Sequence, residues 1–307
     1  AYDICACLVG SEMCIRDRSS AQELRRYMHQ MIYEFTQIEH LVGVNRTRYN
    51  QFESMILPLI KYLQGQGVTF IDNKIVKDWQ FKDTPMQDEI TVTGLVIEDA
   101  QTGETEEVEV DEDTAVIFTN GSITDSATMG DYNPPAPENM DYGVSASLWK
   151  KATERFYNLG TPDKFFNDRN ASEWVSFTLT TKNHLFLNEI VRITTQEPGN
   201  ALNSFLSTTP ITPLNQKDVN MSIVVHHQPH FTTQQPNETV LWGYFLYPRR
   251  QGEFVNKPYI KMTGKEMAQE LIGQLSKVDP GPGNIKDKEK EILDSIVNNI
   301  PVYMPYA

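Results

Sequence analysis

Cysteine is absent from this chain after Cys14. All three cysteines, Cys5, Cys7 and Cys14, fall in the opening AYDICACLVGSEMCIRDR, which excludes a disulfide framework for everything that follows. A zinc site built on them is excluded as well, because no second ligand pair elsewhere completes one. Basic residues are also in short supply: 27 Lys and Arg stand against 41 Asp and Glu, a net charge of −14. Nucleic acid is therefore not an expected partner, since phosphate binding rests on clustered Lys and Arg. No apolar run reaches the length of a membrane span. The lack of later cysteine and of a signal sequence fits a reducing, cytoplasmic setting.

The opening stretch has neither a helical nor a strand period. Its segment CLVGSEMCIRDR matches the conceptual translation of a transposon-type sequencing adapter. Residues 1–18 are accordingly read as foreign sequence, with the protein's own start further upstream.

From Ser19 the chain organises. Ser20 and Glu23 form a capping-box start, and Leu24, Tyr27, Met28, Met31, Phe35 and Ile38 recur at helical spacing. A second helix opens at Asn50 with Glu53, is expected to kink at Pro58, and ends at Gly65. Strands are expected over 68–71, 74–81, 89–97, 106–110 and 115–119, with Gly103 in a hairpin turn. After the proline-rich stretch 131–141 come a helix near 145–156 and mixed structure to about 220. Two strands follow, MSIVV and VLWGYFLY, joined by a polar loop with Pro229 and Pro236. Two amphipathic helices, 263–277 and 286–299, close the chain, the first with Thr263 and Glu266 as a capping box.

The order helix, strand, meander, strand, glycine over 50–121 has the layout of the second half of a dinucleotide-binding domain. There the last strand, TAVIFTNGS here, delivers a small-residue turn to the cofactor. On the motif alone an ordinary tight turn reads equally well. The Gly-x-Gly-x-x-Gly fingerprint that opens such domains does not occur in the chain.

AQELRRYMHQMIYEF, RTRYNQFESMILPLIKYLQGQGVTF, VIFTNGSITDSATMGD, SIVVHHQPHF, VLWGYFLYP and IPVYMPYA, in this order, resemble the fatty acid double-bond hydratases. These are the oleate hydratases, also called myosin-cross-reactive antigens, and the similarity covers essentially all of residues 19–307. The resemblance implies a mixed α/β (α+β) fold: part of an FAD-binding Rossmann-type flavoprotein, with an added substrate-binding region and C-terminal helices. It divides the chain into 19–135, FAD-binding with a helical insertion; 136–260, substrate-binding; and 261–307, helical. The implied activity is hydration of a cis double bond of an unsaturated fatty acid such as oleate or linoleate, with FAD required but no net redox change. The implied partners are the fatty acid, contact with a membrane periphery through the amphipathic 263–277 helix, and a second copy in a homodimer. For that helix, packing on the core is the simpler reading.

Protonating an isolated alkene needs a well-placed acid, and the resulting cation needs an oriented water. The resemblance gives the acid role to Tyr27, and it places the family's water-activating Glu upstream. Pattern alone makes Tyr27 a core aromatic on the face of Leu24 and Met31. Tyr49 is the second candidate, and Arg25 and Arg26 read as solvated. For FAD the resemblance carries over Thr119, Asn120, Gly121 and Ser122, with Val76 near the adenine. For the fatty-acid carboxylate it carries over His226, Gln228 and His230. The family often has Thr-x-Asn-Arg-Gln-Pro-x here; this chain has Val224, His226 and His227 and keeps Gln228 and Pro229. A metal at the three histidines is not expected, since adjacent strand residues face opposite ways. A flavin isomerase or oxidoreductase, and a silent lipid-binding flavoprotein, remain alternative readings.

Overall fold

The computed structural model describes residues 21–31, 47–83, 89–119, 124–166, 168–194, 203–206, 221–245 and 247–306. The fold class is mixed α and β. The chain forms two compact units that interleave in sequence rather than following one another: Ala1–Tyr62 with Thr128–Glu138 and Glu173–Tyr303, and Leu63–Ala127 with Asn139–Ser172 and Met304–Ala307. Two helices come first. Helix α1 covers Ala21–Met31, and a π-turn at Phe52–Ile56 leads into α2, Leu57–Gly65. The expected continuation of α1 through Phe35 and Ile38 lies outside the described residues.

The second unit is built on a meander of β1 (Lys74–Phe81), β2 (Val92–Asp99) and β3 (Thr105–Glu109), antiparallel in that order. The β2–β3 turn closes because the Asp99 carboxylate accepts from the backbone of Gln101 and Thr102, while Gly103 takes a φ of 73°. Helix α3, Val144–Arg155, is tied to β1 in three ways. The Trp79 indole donates to the Leu148 carbonyl at 3.0 Å, Lys151 pairs with Asp78, and Phe156 meets Phe81 edge-on.

Two expected strands are absent here. Residues 68–71 and 115–119 join no ladder among the described residues, and Ile71 and Ile117 are 71% and 86% exposed. An apolar β-branched run gives propensity, yet a strand forms only where a neighbour takes its backbone groups. Among the described residues that neighbour is lacking.

The first unit centres on a six-stranded sheet. Its strands are β4 (Thr128–Met129), β5 (Trp174–Thr181), β6 (Asn203–Leu206), β7 (Met221–Val225), β8 (Thr239–Phe245) and β9 (Ile296–Met304), in the spatial order β4-β9-β5-β8-β7-β6. One face carries Val175, Phe177, Leu179, Ile223, Val225, Leu241 and Phe245 into the core. The core also takes in the buried side of α4 (Leu185–Thr194) and of α5 (Gly264–Val278), the latter through Met267, Ala268, Leu271, Ile272 and Leu275. Each large aliphatic buried this way stabilises by roughly 1.5–3 kcal/mol. The α5 start is the expected capping box: Thr263 Oγ1 accepts from Glu266 N, and Glu266 accepts from Thr263 N. Packing on the core thus uses these five apolar residues of α5, while Val278 at its end is exposed. Among the described residues no helix is long and apolar enough to cross one.

The last expected helix, 286–299, is a correction. A 3-10 turn over Ile285–Lys288 leads to α6, Glu289–Ser295, and the chain then becomes β9. Ile296, Val297, Ile300 and Val302 are β-branched, and the slot between β4 and β5 buries alternate residues of the strand. Residues 261–307 are therefore not wholly helical.

Candidate functional site

The two strands around Pro229 pair antiparallel, with Ser222 opposite Tyr244, Val224 opposite Trp242 and Val225 opposite Leu241. The period of two puts Ser222, Val224, Val240, Trp242 and Tyr244 on the face turned away from the core side of Ile223 and Leu241. Strand β5 adds Ser176 opposite Tyr244. Three rings then make a continuous aromatic patch: Trp174 stacks on Tyr244 at 5.0 Å, Trp242 lies 4.8 Å from Tyr244, and Trp174 lies 6.1 Å from Trp242. Trp242 is half-buried and the other two rings are buried.

Beyond Val225 the strand stops, and the chain turns back over residues 226–234. His226 is buried and His230 half-buried, and their imidazoles stack face to face at 4.0 Å with 15° between planes. Phe231 closes edge-on against His230 at 4.8 Å. Gln228 extends the ladder with its side chain: Oε1 accepts from Val240 N, and Nε2 donates to Val240 O at 3.0 Å. Gln234 Nε2 donates to Gln228 Oε1, and Gln234 Oε1 accepts from His230 N at 2.6 Å. The two carboxamides thus hold the turn, and Gln228 spends its polar atoms on backbone and on Gln234.

A second clamp comes from the start of the π-turn. Asn50 N donates to the His230 carbonyl at 2.8 Å, and Asn50 Oδ1 caps Glu53 N at 3.0 Å. The Glu53 carboxylate accepts from Thr232 N at 3.0 Å, from Thr232 Oγ1 and from Asn50 Nδ2. Those Thr232 hydrogen bonds hold the Glu53 carboxyl below its usual range. Burial pushes the His230 imidazole down to about 4, against a smaller opposing pull from Glu53.

The sequence-derived residues thus separate. His226, Gln228 and His230 come together in one turn at the end of the aromatic face. Tyr27 is half-buried on α1, beside exposed Arg25 and Arg26. Val76 is half-buried in β1 opposite Ile97, next to a register shift. Thr119 is exposed, and Asn120, Gly121 and Ser122 lie outside the described residues. Among the described residues no group of three or more His, Cys, Asp or Glu side chains could hold a metal ion. Trp174, Thr232 and the second role of Glu53 escape the sequence reading; Glu53 is legible there only as a helix-start residue.

The arrangement is a stacked imidazole pair, His226 buried and His230 half-buried, in the turn that follows a strand carrying an aromatic and aliphatic face. The MCRA family model matches residues 8–307. The chain belongs to the MCRA family. Over 292 residues it is 99% identical to a linoleate hydratase of Lactiplantibacillus plantarum, covering 95% of this chain and 51% of that protein. Over 289 residues it is 31% identical to an oleate hydratase of Streptococcus pyogenes serotype M49 (strain NZ131), covering 94% of this chain and 47% of that protein. The chain spans about half the length of these curated relatives.

Proposed function

We propose that this MCRA chain is part of a hydro-lyase that adds water across a cis double bond of an unsaturated fatty acid, oleate or linoleate, giving a hydroxy fatty acid. The observation that carries the reading is the stacked His226–His230 pair closing one end of the Trp174–Trp242–Tyr244 face, in a chain so similar to a linoleate hydratase. The imidazoles receive the carboxylate as hydrogen-bond donors. The ring patch holds the acyl chain and excludes water from it, which strengthens every polar contact made inside.

In this reading Tyr27 gives its hydroxyl proton to one alkene carbon. The water oxygen bonds to the other and keeps one proton as the new hydroxyl, while its second proton passes to the Glu that the family resemblance implies and from there to solvent. Solvent then restores the Tyr27 proton. Unperturbed, a tyrosine has a pKa of about 10, so it is protonated and competent as an acid at neutral pH.

FAD belongs to the same reading. Phe118 packs edge-on against Trp79 of β1 at 5.3 Å, which brings the segment ending at Thr119 beside the strand that carries Val76. Thr119 is open to solvent, and the glycine at 121 would let backbone amides approach a phosphate closely. Thr119, Asn120, Gly121 and Ser122 would then hold the diphosphate and ribose, and Val76 the adenine. Bound FAD would supply positioning and electrostatics without net redox change.

The test uses the chain at the full length of its relatives, loaded with FAD and given oleic or linoleic acid in oxygen-18 water. A labelled hydroxy acid that disappears with Tyr27→Phe is the expected result. A folded, flavin-loaded protein that gives no labelled product overturns the reading and favours an isomerase or a lipid-binding flavoprotein.

A further inference from the structure

The carboxylate-binding end of the site depends on a residue that does not belong to its own loop. We infer that Glu53 is a positioning residue for His230: from the start of the π-turn it clamps the 226–234 turn and supplies the fixed negative charge that favours the imidazolium. The inference rests on the fatty-acid reading above for its consequence, but not for its geometry.

Three contacts carry it. Asn50 donates twice to the His230 carbonyl, from its backbone at 2.8 Å and from Nδ2 at 3.3 Å. Glu53 captures both the backbone N–H and the hydroxyl of Thr232, two residues beyond His230. Asn50 and Glu53 also bind each other through the Asn50 cap on Glu53 N and the Asn50 Nδ2 donation to the carboxylate. The turn therefore has little freedom, and its register against the sheet is fixed by Gln228 and Gln234.

A carboxylate this close to an acid-binding site would ordinarily repel the ligand. Here its oxygens are turned to Thr232 and Asn50, so it acts as a fixed charge rather than as a competing group. The charge falls on His230, which burial makes hard to protonate. The other titratable groups on the elements that meet here are His226, His227 and Glu238 of the turn and its loop, and Arg48 just before Asn50. His226 stacks on it from the end of β7, and Glu238, within the same loop, accepts from Gln235 N. A bound fatty-acid carboxylate and Glu53 would thus flank His230 and draw a proton onto it. Binding would then be accompanied by proton uptake and would weaken as pH rises.

The experiment compares Glu53→Gln, which keeps the shape and can still pair with Thr232, with Thr232→Val, which removes a hydroxyl contact and leaves the charge. Both are made in the full-length protein. Imidazole NMR titration of His230 without ligand is read first, followed by the pH dependence of oleate binding. The expected result is that Glu53→Gln lowers the His230 midpoint by roughly half a pH unit or more, since an opposite charge nearby favours the ionised form. The pH at which oleate binding is lost should fall with it. Thr232→Val should weaken oleate binding at every pH and leave both midpoints in place. An unmoved His230 midpoint in Glu53→Gln overturns the inference, whatever oleate does. A shifted midpoint in a protein that binds no oleate upholds the coupling and overturns the fatty-acid reading instead.

Discussion

The ring of Phe177 occupies the space that a side chain on Gly243 would fill. The two residues are direct partners across β5 and β8, and a Cβ at Gly243 would fall 2.3 Å from Phe177 Cζ. Both strands lie in the interior of the sheet, and Phe177 is fully buried. The glycine is thus a packing requirement of the site's own sheet.

Gly243→Ala should therefore destabilise the protein despite alanine's better strand propensity. Overpacking of this kind costs roughly 1–3 kcal/mol, and a drop of that size in the urea unfolding free energy is expected. The double variant Gly243→Ala with Phe177→Leu should recover part of it.

Glu270 is fully buried on α5, and its carboxylate accepts from the backbone N–H groups of Glu253, Phe254 and Val255 and from Gln274 Nε2. It substitutes for a strand edge in tying down the 252–257 loop. Glu270→Gln sets an amide N–H against those donors, and stability should fall by about 2–4 kcal/mol, as expected when buried donors lose a charged acceptor. Hydrogen exchange at residues 253–255 should speed up most. Slow exchange retained at those three amides would refute the assignment.

Glu173, 2% exposed, is held from two sides. Arg249 Nε lies 2.7 Å from its Oε1, and Tyr303 Oη donates to its Oε2 at 2.9 Å. Tyr303→Phe removes one donor and leaves the charge paired, so thermal unfolding should show a loss of about 1–2 kcal/mol. Arg249→Met takes the paired cation away from a carboxylate that stays buried, and the loss should be larger, about 3–5 kcal/mol.

His230 sets an acid limit on the loop. Its folded pKa, about 4, lies below the usual value of 6.5, so the folded state favours the neutral ring and the unfolded chain binds the proton more readily. The stability this contributes is present above pH 6.5 and is lost as pH falls from there towards 4. The loss is at most roughly 3.5 kcal/mol at about 1.4 kcal/mol per unit, with solvent screening reducing it. His230→Gln should flatten the unfolding free energy across that window. An unchanged slope would exclude His230 as the group responsible.

Those parts of the fold that are specified locally are legible in the sequence. The apolar, β-branched and aromatic runs MSIVV and VLWGYF give β7 and β8, Thr263 with Glu266 gives the α5 start, and Gly103 gives the meander turn. The 115–119 and 286–299 segments misread for a common reason: whether an apolar run becomes ladder, coil or helix depends on what lies beside it, and neighbours are not written locally. The site divides along the same line. His226 and His230 are four residues apart and legible as a pair, whereas the Glu53–Thr232 contact joins positions 179 apart, and no spacing rule reaches that far.

Strand β9 lies between β4 and β5, yet it is made more than roughly a hundred residues after β5. During synthesis the inner edge of β5 must wait, open, while β6, β7, β8 and α5 emerge. Sheets assembled from such distant segments form slowly, because a long loop has to close before the pairing stabilises anything. The waiting edge is a template for another chain's strand. The histidine turn is mounted on β7 and β8, which can pair with β5 before β9 arrives, so the turn can take shape on a sheet that is still unsealed. A ribosome-stalled chain ending before Ile296 should associate with other chains through β5, and one extended past Met304 should not.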